Sequence, residues 1–284
     1  MPAGGLPGEP VLNAAAAGRP AWRLFVDPPS SGAWNMAMDE ALLESVQRGA
    51  SPVLRLYRWR PSCVSFGRNQ PACDVFDPAL ARARGIDLVR RPTGGLAVHH
   101  ARELTYAVAS PVDAIGSPRT AYAAIHRALV AGLRTLGVHA VVAAASPATV
   151  PAAAVPGWDP AGRDPCFRAP ARGEILLDGR KLVGSAQRCE RRVVLQHGSI
   201  LLEDDQDAVR EIQFAPPAPT GAPATLVAAL GAVPAVAALV EAIAGGFEAA
   251  LGISLAPAPS DAHEYGRAAA LEPKYRSGEW TWRR

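Results

Sequence analysis

The segment Asp178-Gly-Arg-Lys-Leu-Val-Gly-Ser-Ala-Gln187 has the pattern of a β-hairpin. Asp-Gly is a two-residue turn signal, and here it separates the apolar run Glu174-Ile-Leu-Leu177 from the run that begins at Lys181. We therefore predict a strand, a tight turn and a second strand, followed by a third strand at residues 192–202. Lys181 then lies just past a turn, where the backbone is well fixed.

The rest of the chain predicts a mixture of strands and helices. Ser31 is a predicted N-cap before apolar residues at helical spacing, with Asp39 and Glu40 facing solvent. Strands are predicted at 53–59, 63–70, 86–91, 96–99 and 103–109, and helices at 31–47, 120–137 and, interrupted at Pro234, 225–251. Because these elements do not alternate regularly, we predict an α+β fold with a mixed, largely antiparallel sheet flanked by helices.

The composition is typical of a globular protein that buries a substantial core. Hydrophobic residues make up 49% of the 284 residues. Residues 1–20 are rich in Gly, Ala and Pro, and we expect a disordered lead-in there. Residues 21–284 are expected to form a single domain without a further C-terminal domain, with an irregular Ala/Pro-rich loop at 140–164.

Charge and cysteine spacing argue against several classes of protein. The formal net charge of +3 is too small and too dispersed to indicate a nucleic-acid-binding protein. The chain lacks both an uninterrupted apolar run of about 18 residues and a signal peptide at its start, so we expect no membrane partner and a cytoplasmic location. The four cysteines include no C-x-x-C pair, which disfavours a disulfide framework or a zinc site.

Lysine is rare in this chain, and one lysine stands out as a catalytic candidate. Lys181 and Lys274 are the two lysines among 29 basic residues, and Lys181 directly follows Arg180. An ammonium group has an adjustable pKa, whereas a guanidinium group stays protonated, so the two residues are not interchangeable at a reacting centre. The alternative is that Lys181 is an ordinary surface lysine.

Cys166 precedes Lys181 by 15 residues, at the end of the Ala/Pro-rich loop. If that loop folds back onto the hairpin, the ammonium group of Lys181 favours the thiolate form of Cys166, which is the nucleophilic form. A lone cysteine is more often a small buried hydrophobic residue, so this alternative stays open. Cys63 lies within a predicted strand and fits that structural role better.

The segment Arg90-Arg-Pro-Thr-Gly-Gly95 joins two cations to a diglycine. Glycines let a ligand approach the backbone closely, as acyl and phosphate sites require, but a glycine hairpin with surface arginines is an equal alternative. His100 and His197 are candidates for proton transfer, or for hydrogen-bonded positions in the core. The chain has neither a P-loop nor a Rossmann glycine pattern.

Taken together, these segments resemble the lipoate-protein ligase and octanoyltransferase superfamily, which includes the biotin protein ligases. The matching segments are 35–43, 65–70, 90–95, 103–106, 179–187 and 195–200, in family order over residues 22–282. The resemblance implies a biotin/lipoate protein ligase-like catalytic domain whose mixed sheet forms an acyl-binding tunnel. It also implies that the tunnel is lined by the diglycine and lysine segments.

Pro165-Cys-Phe-Arg-Ala-Pro170 resembles the nucleophile segment of the cysteine-dependent, LipM-type octanoyltransferases. This resemblance implies that Cys166 takes octanoyl from octanoyl-acyl carrier protein as a thioester. Cys166 then passes it to a lysine on the lipoyl domain of glycine cleavage H protein or a 2-oxoacid dehydrogenase E2. Lys181 would stabilise the thiolate and help to move protons. No cofactor is implied, whereas ATP and magnesium would serve a ligase.

The resemblance also implies a set of substrate-binding residues. These are Arg90, Arg91, Thr93, Gly94, Gly95, His100, Gly184, Ser185, Ala186 and His197. Backbone groups near Gly94, Gly95 and Gly184 are candidates to hold the carbonyl oxygen. Leu96 departs from the arginine or glycine expected after the diglycine. The arginine clusters, including Arg90 and Arg91, are expected to steer acidic partners.

Three other functions are compatible with the same segments. An ATP-dependent lipoate-protein ligase shares the tunnel motifs. An amidotransferase that moves octanoyl or lipoyl groups between lipoyl domains shares the cysteine chemistry. A non-catalytic paralogue that binds a carrier domain is disfavoured because both Cys166 and Lys181 are present.

Overall fold

A mixed sheet lies at the centre of the computed structural model, which describes residues 18–143, 165–167, 173–219, 221–258 and 262–283. The predicted lead-in at 1–20 and the predicted loop at 140–164 fall largely outside these residues. The first strand of the described residues begins at Ala21. None of the described helices has the length and apolar character needed to cross a membrane.

The strands and helices follow most of the predicted positions. The strands are β1 Ala21–Val26, β2 Val53–Tyr57, β3 Cys63–Phe66, β4 Asp87–Arg90, β5 Val98–His100, β6 Glu103–Pro111, β7 Val141–Val142, β8 Ile175–Leu177, β9 Arg180–Glu190, β10 Val193–Leu201 and β11 Ser254–Pro257. The helices are α1 Gly32–Gln47, α2 Pro78–Ala83, α3 Val112–Ile115, α4 Pro118–Thr135, α5 Ala208–Glu211, α6 Leu226–Leu230, α7 Val236–Leu251, α8 His263–Arg276 and α9 Gly278–Thr281.

Two sheets organise the described strands. The larger has the order β11-β1-β2-β6-β10-β9-β8-β7, and the smaller has the order β4-β3-β5. In the larger sheet β1 lies parallel to both of its neighbours, and the other pairs are antiparallel. The predicted α+β fold with a mixed, largely antiparallel sheet is therefore confirmed.

The predicted hairpin forms between β8 and β9. Asp178 and Gly179 adopt φ values of +49° and +75°, as a type I′ turn requires at its two central positions. Leu176 pairs with Lys181 across the two strands, next to an irregularity in the register after Ile175. The turn thus holds Lys181 at the start of a long central strand.

Helix α1 is buried on more sides than its sequence indicates. Ser31 caps it as predicted, with its side chain accepting a hydrogen bond from Trp34 N at 3.2 Å. The prediction that Asp39 faces solvent is wrong, because its side chain is fully buried. One side of α1 packs near the sheet strands β6 and β10, and α8 covers another side.

Candidate active site

Cys166 lies beside the start of strand β5 in the small sheet. Its backbone N–H donates to Ala97 O at 2.9 Å, just before β5. The neighbouring Phe167 is buried and packs on Gly184, where an added Cβ would lie 3.0 Å from the Phe167 ring. Glycine at position 184 therefore makes room for the segment that carries the cysteine.

The Lys181 ammonium group lies between the thiol of Cys166 and the carboxylate of Glu174. Lys181 Nζ is 3.4 Å from Cys166 Sγ and donates to Cys166 O at 2.8 Å. The same nitrogen is 2.5 Å from Glu174 Oε1, and both side chains are about 95% buried or more, at 2% and 5% exposure. The structure therefore brings the two predicted catalytic residues into contact.

Burial acts to lower the pKa of Lys181, but Cys166 and Glu174 outweigh burial and raise that pKa above its ordinary value. The lysine is consequently an ammonium ion at neutral pH. Glu174 was not a predicted site residue. Glu174 lies directly before β8 of the predicted hairpin, and this position was the signal available in the sequence. The register between β8 and β9 is irregular, so the residue that faces Lys181 could not be predicted from the hairpin pattern.

A pocket opens beside Cys166. Its lining consists of Met36, Tyr57, Trp59, Ser65, Arg91, Gly95, Val98, His100, Thr105, Cys166, Gly184, Ser185, Ala186, His197, Gly198 and Ser199. Most of the predicted substrate-binding residues are therefore brought together at one cavity. Arg90, Thr93 and Gly94 are not among the lining residues.

Arg91 shapes the diglycine loop from inside the protein. Its guanidinium group donates to Gly94 O at 2.7 Å, Leu96 O at 2.8 Å and Ser65 O at 2.9 Å. Burial lowers the pKa of Arg91 to about 10, which still leaves the side chain charged at neutral pH. The loop is thus pinned through its carbonyl groups on both sides of Gly95.

Arg90 has a different structural role. Its side chain is fully buried and donates to Gly67 O at 2.6 Å, Gln70 O at 2.8 Å and Thr281 O at 2.9 Å. It therefore ties the loop after β3 to α9. Because Arg90 and Arg91 are both buried, the expectation that they present positive charge to a partner is wrong.

His197 is part of a buried hydrogen-bonded chain. Its Nε2 lies 2.5 Å from Thr93 Oγ1, and its Nδ1 lies 2.8 Å from Asp39 Oδ2. Asp39 also accepts from Arg55 Nη1 at 2.8 Å. Burial acts to raise the pKa of Asp39, but the His197 and Arg55 contacts outweigh it and hold that pKa below its ordinary value. The ionised carboxylate therefore places the proton of His197 on Nδ1.

His100 belongs to a second buried network, beside the pocket. Its Nε2 is 2.8 Å from Ser65 Oγ, its Nδ1 is 3.2 Å from Glu103 Oε1, and its ring stacks on Trp59 at 3.9 Å. Burial, together with nearby Arg91, lowers the pKa of His100 well below its ordinary value. Burial also raises the pKa of Glu103 to about 8. At neutral pH the two therefore form a hydrogen-bonded pair of neutral side chains.

Comparison with known proteins places this chain in a family. The model of the lipoyl protein ligase A/B catalytic domain matches residues 31–247. The chain belongs to that family.

Relatives in this family match over most of the chain. The octanoyltransferase LipM of Kyrpidia tusciae is 39% identical over 276 residues, covering 93% of this chain and 99% of that protein. The octanoyltransferase LipM of Staphylococcus aureus is 35% identical over 268 residues, covering 88% and 94%.

Solved structures share the fold. A lipoate-protein ligase A bound with ATP superposes with a TM-score of 0.76 at 24% identity, covering 92% of this chain and 98% of that one. A bipartite lipoate protein ligase from Thermoplasma acidophilum superposes with a TM-score of 0.72 at 23% identity, covering 92% and 96%. The predicted family and fold are thus confirmed.

Within this lipoyl ligase A/B domain, Ser185 joins the pocket to a third polar network. Its hydroxyl lies 2.7 Å from Tyr106 Oη and 2.8 Å from His126 Nε2. His126 Nδ1 lies 2.6 Å from Gly173 O, next to Glu174. Burial lowers the pKa of His126 to about 4, so this histidine is neutral at neutral pH. Sequence interpretation missed His126 because its helix α4 has an ordinary apolar stripe.

Cys63 lies at the start of strand β3 in the small sheet. Cys63 is buried, and burial raises the pKa of its thiol well above the ordinary value, which fits its predicted structural role. Among the described residues, no group of three or more His, Cys, Asp or Glu side chains is arranged to hold a metal ion.

Proposed function

We propose that the protein is an octanoyltransferase that moves an octanoyl group through a thioester on Cys166. The donor is octanoyl-acyl carrier protein, and the acceptor is a lysine on a lipoyl domain, as in glycine cleavage H protein or a 2-oxoacid dehydrogenase E2. The observation that carries the proposal is the 3.4 Å contact between Cys166 Sγ and Lys181 Nζ at the wall of the pocket. Relatives at 39% and 35% identity that are octanoyltransferases support the same reaction.

In the first half-reaction, the thiolate of Cys166 attacks the carbonyl carbon of the donor thioester. A new carbon–sulfur bond forms at Cys166, and the bond to the donor sulfur breaks. The donor leaves as a thiol, carrying the proton that Cys166 lost. The Lys181 ammonium group stabilises the negative sulfur, while Glu174 holds that ammonium group in place.

In the second half-reaction, the neutral amine of the acceptor lysine attacks the carbonyl carbon of the Cys166 thioester. The amide bond forms and the carbon–sulfur bond breaks. The proton that the amine loses returns to the sulfur of Cys166. Lys181 again stabilises the sulfur as it becomes negative. Because the thioester already stores the activation of the acyl group, we propose that transfer needs neither ATP nor magnesium.

We propose that the diglycine loop stabilises the charge that develops on the carbonyl oxygen. Gly95 lines the pocket, and its backbone N–H donates no hydrogen bond within the described part of the chain. Arg91 fixes the carbonyl groups of Gly94 and Leu96 on either side. A preorganised N–H group of this kind stabilises an oxyanion without moving at the moment of reaction.

The pocket suits an acyl chain beside these polar groups. Met36 and Val98 contribute apolar side chains, and Trp59 contributes an aromatic wall. The indole N–H of Trp59 donates to Thr105 Oγ1 at 2.7 Å, so this wall has a fixed orientation. An octanoyl chain bound there leaves its carbonyl group near Cys166.

Intact-protein mass spectrometry tests the proposed donor and nucleophile. The native chain and Cys166→Ala are each mixed with octanoyl-acyl carrier protein without ATP. A hydroxylamine-sensitive octanoyl adduct on the native chain alone supports the proposal. Activation of octanoate or lipoate only with ATP and magnesium would instead indicate a lipoate-protein ligase. Loading only from an octanoylated lipoyl domain would indicate an amidotransferase.

A further inference from the structure

Two arginine side chains, Arg68 and Arg283, lie over the indole ring of Trp280, and Lys274 lies over the same ring. The guanidinium carbon of Arg283 is 3.9 Å from the centre of the indole ring, and that of Arg68 is 5.9 Å away. Arg283 Nη2 also donates to Arg68 O at 2.8 Å. These contacts hold two like charges close together on side chains that are partly open to solvent.

A third arginine adds to this concentration of positive charge. Partial burial lowers the pKa of Arg283, and the nearby charges of Arg68 and Arg188 lower it further. Arg188 forms an ion pair with Glu190. In the described part of the chain, neither Arg68 nor Arg283 has a carboxylate within 4 Å. We call Arg68, Arg188 and Arg283 the arginine patch.

The arginine patch borders the pocket from two directions. Alternate residues of a strand share one face, so Arg188 lies on the face of β9 that carries Gly184 and Ala186; these two residues and Ser185 line the pocket. On the other side, Arg68 N donates to Thr93 O at 2.7 Å, and the preceding Gly67 packs directly on Gly95. Arg188 is thus two residues from the pocket-lining Ala186, and Arg68 is bonded to the loop that carries the pocket-lining Gly95.

We propose that the arginine patch docks the acidic surface of the acceptor domain, an inference that rests on the proposed function. Guanidinium groups pair with carboxylates through two parallel hydrogen bonds, and Arg68 and Arg283, which have no carboxylate partner in the described part of the chain, favour an acidic surface. A lysine side chain has only a four-carbon stem. The acceptor domain must therefore contact the enzyme close to the pocket, where the patch lies.

Charge reversal of the patch, measured in the second half-reaction alone, tests this assignment. Native chain and the double variant Arg68→Glu/Arg283→Glu are first loaded with octanoyl from a small thioester, octanoyl-N-acetylcysteamine. Transfer to an acidic lipoyl domain is then followed as a function of acceptor concentration and salt. We expect KM for the acceptor to rise about 10-fold or more, kcat to change less than about twofold, and the salt dependence to weaken.

Two comparisons separate docking from damage to the fold. The matched control Arg127→Glu/Arg134→Glu reverses two exposed charges on α4 and should keep the native KM. The milder pair Arg68→Gln/Arg283→Gln should raise KM in the same direction by a smaller factor. Loading by the small thioester should be equal in all of these proteins.

Each alternative result has a defined meaning. If the Arg68→Glu/Arg283→Glu variant keeps the KM and the salt dependence of the native chain, the docking assignment is overturned. A defect confined to loading from octanoyl-acyl carrier protein also overturns it, because the patch then serves the donor. If the native chain is not loaded at Cys166, or does not transfer its octanoyl group, the proposed function itself fails.

Discussion

Two buried pairs of a base and an acid lie beside the same pocket, and only one of them is ionic. Lys181 and Glu174 are 2.5 Å apart, and the pKa of Lys181 is raised. His100 and Glu103 are 3.2 Å apart, but the pKa of His100 is lowered and that of Glu103 is raised to about 8. The same kind of surroundings thus gives a charged pair and a neutral pair.

The difference follows from the ordinary pKa values of the two bases. Lysine and glutamate differ by about six pKa units, whereas histidine and glutamate differ by only about two. Burial disfavours both charged forms, and it overcomes the smaller gap but not the larger one. The comparison teaches that a buried lysine keeps its charge where a buried histidine does not, and the compact ammonium group of Lys181 contacts both Cys166 and Glu174.

The largest effect is expected from removing the cation of the ionic pair. Lys181→Met should lower kcat for octanoyl transfer by about 100- to 10,000-fold, because neither half-reaction then has an ammonium group beside the sulfur. The rate of each half-reaction measures this, with circular dichroism to show that the variant is folded. A variant that retains more than about a tenth of the native rate would contradict the role of Lys181.

Removing the anion of the ionic pair should have an intermediate effect. In Glu174→Gln, Lys181 no longer shares its charge with a carboxylate, so iodoacetamide should alkylate Cys166 faster at pH 7 than it does in the native chain. We also expect kcat to decrease about 10-fold, because Lys181 is held less firmly. Glu203→Gln, at an exposed carboxylate, is the matched control. An unchanged alkylation rate would show that Glu174 is merely structural.

The smallest effect on octanoyl transfer is expected from replacing the acid of the neutral pair, Glu103. Glu103→Gln replaces a protonated acid by an amide of similar shape, so transfer at pH 7 should change less than about threefold. The raised pKa of Glu103 stabilises the native fold below about pH 4.5, and this contribution is lost as the pH rises towards about 8. The Tm of the variant relative to the native chain should therefore increase between pH 5 and 8. A difference in Tm between the variant and the native chain that stays constant from pH 5 to 8 would contradict the assignment of Glu103 as a neutral side chain.

Local signals in the sequence predicted the parts of the fold that depend on neighbouring residues. The hairpin follows from Asp178-Gly179 because a type I′ turn needs residues that tolerate positive φ. The start of α1 follows from the cap at Ser31. The contact between Cys166 and Lys181 was expected if the loop folds back onto the hairpin, and the structure shows it. Their catalytic roles stay predictions.

Contacts from distant parts of the chain explain the predictions that failed. Asp39 was expected at the surface because a helix usually buries one face, but α8 from the far end of the chain covers a second face of α1. Arg90 was expected to be exposed, but it is buried beneath α9, where Thr281 accepts one of its hydrogen bonds. Such long-range partners are not visible in a local pattern of residues.

Single-turnover transfer from isolated acyl-enzyme tests the thioester route most directly. Enzyme octanoylated at Cys166 is separated from its donor and mixed with a lipoyl domain in the absence of ATP and magnesium. The thioester should disappear at the rate at which octanoyl appears on the acceptor lysine, with one acyl group gained for each one lost. A stable adduct on Cys166 with no transfer, or transfer only after ATP and magnesium are added, would contradict the proposed mechanism.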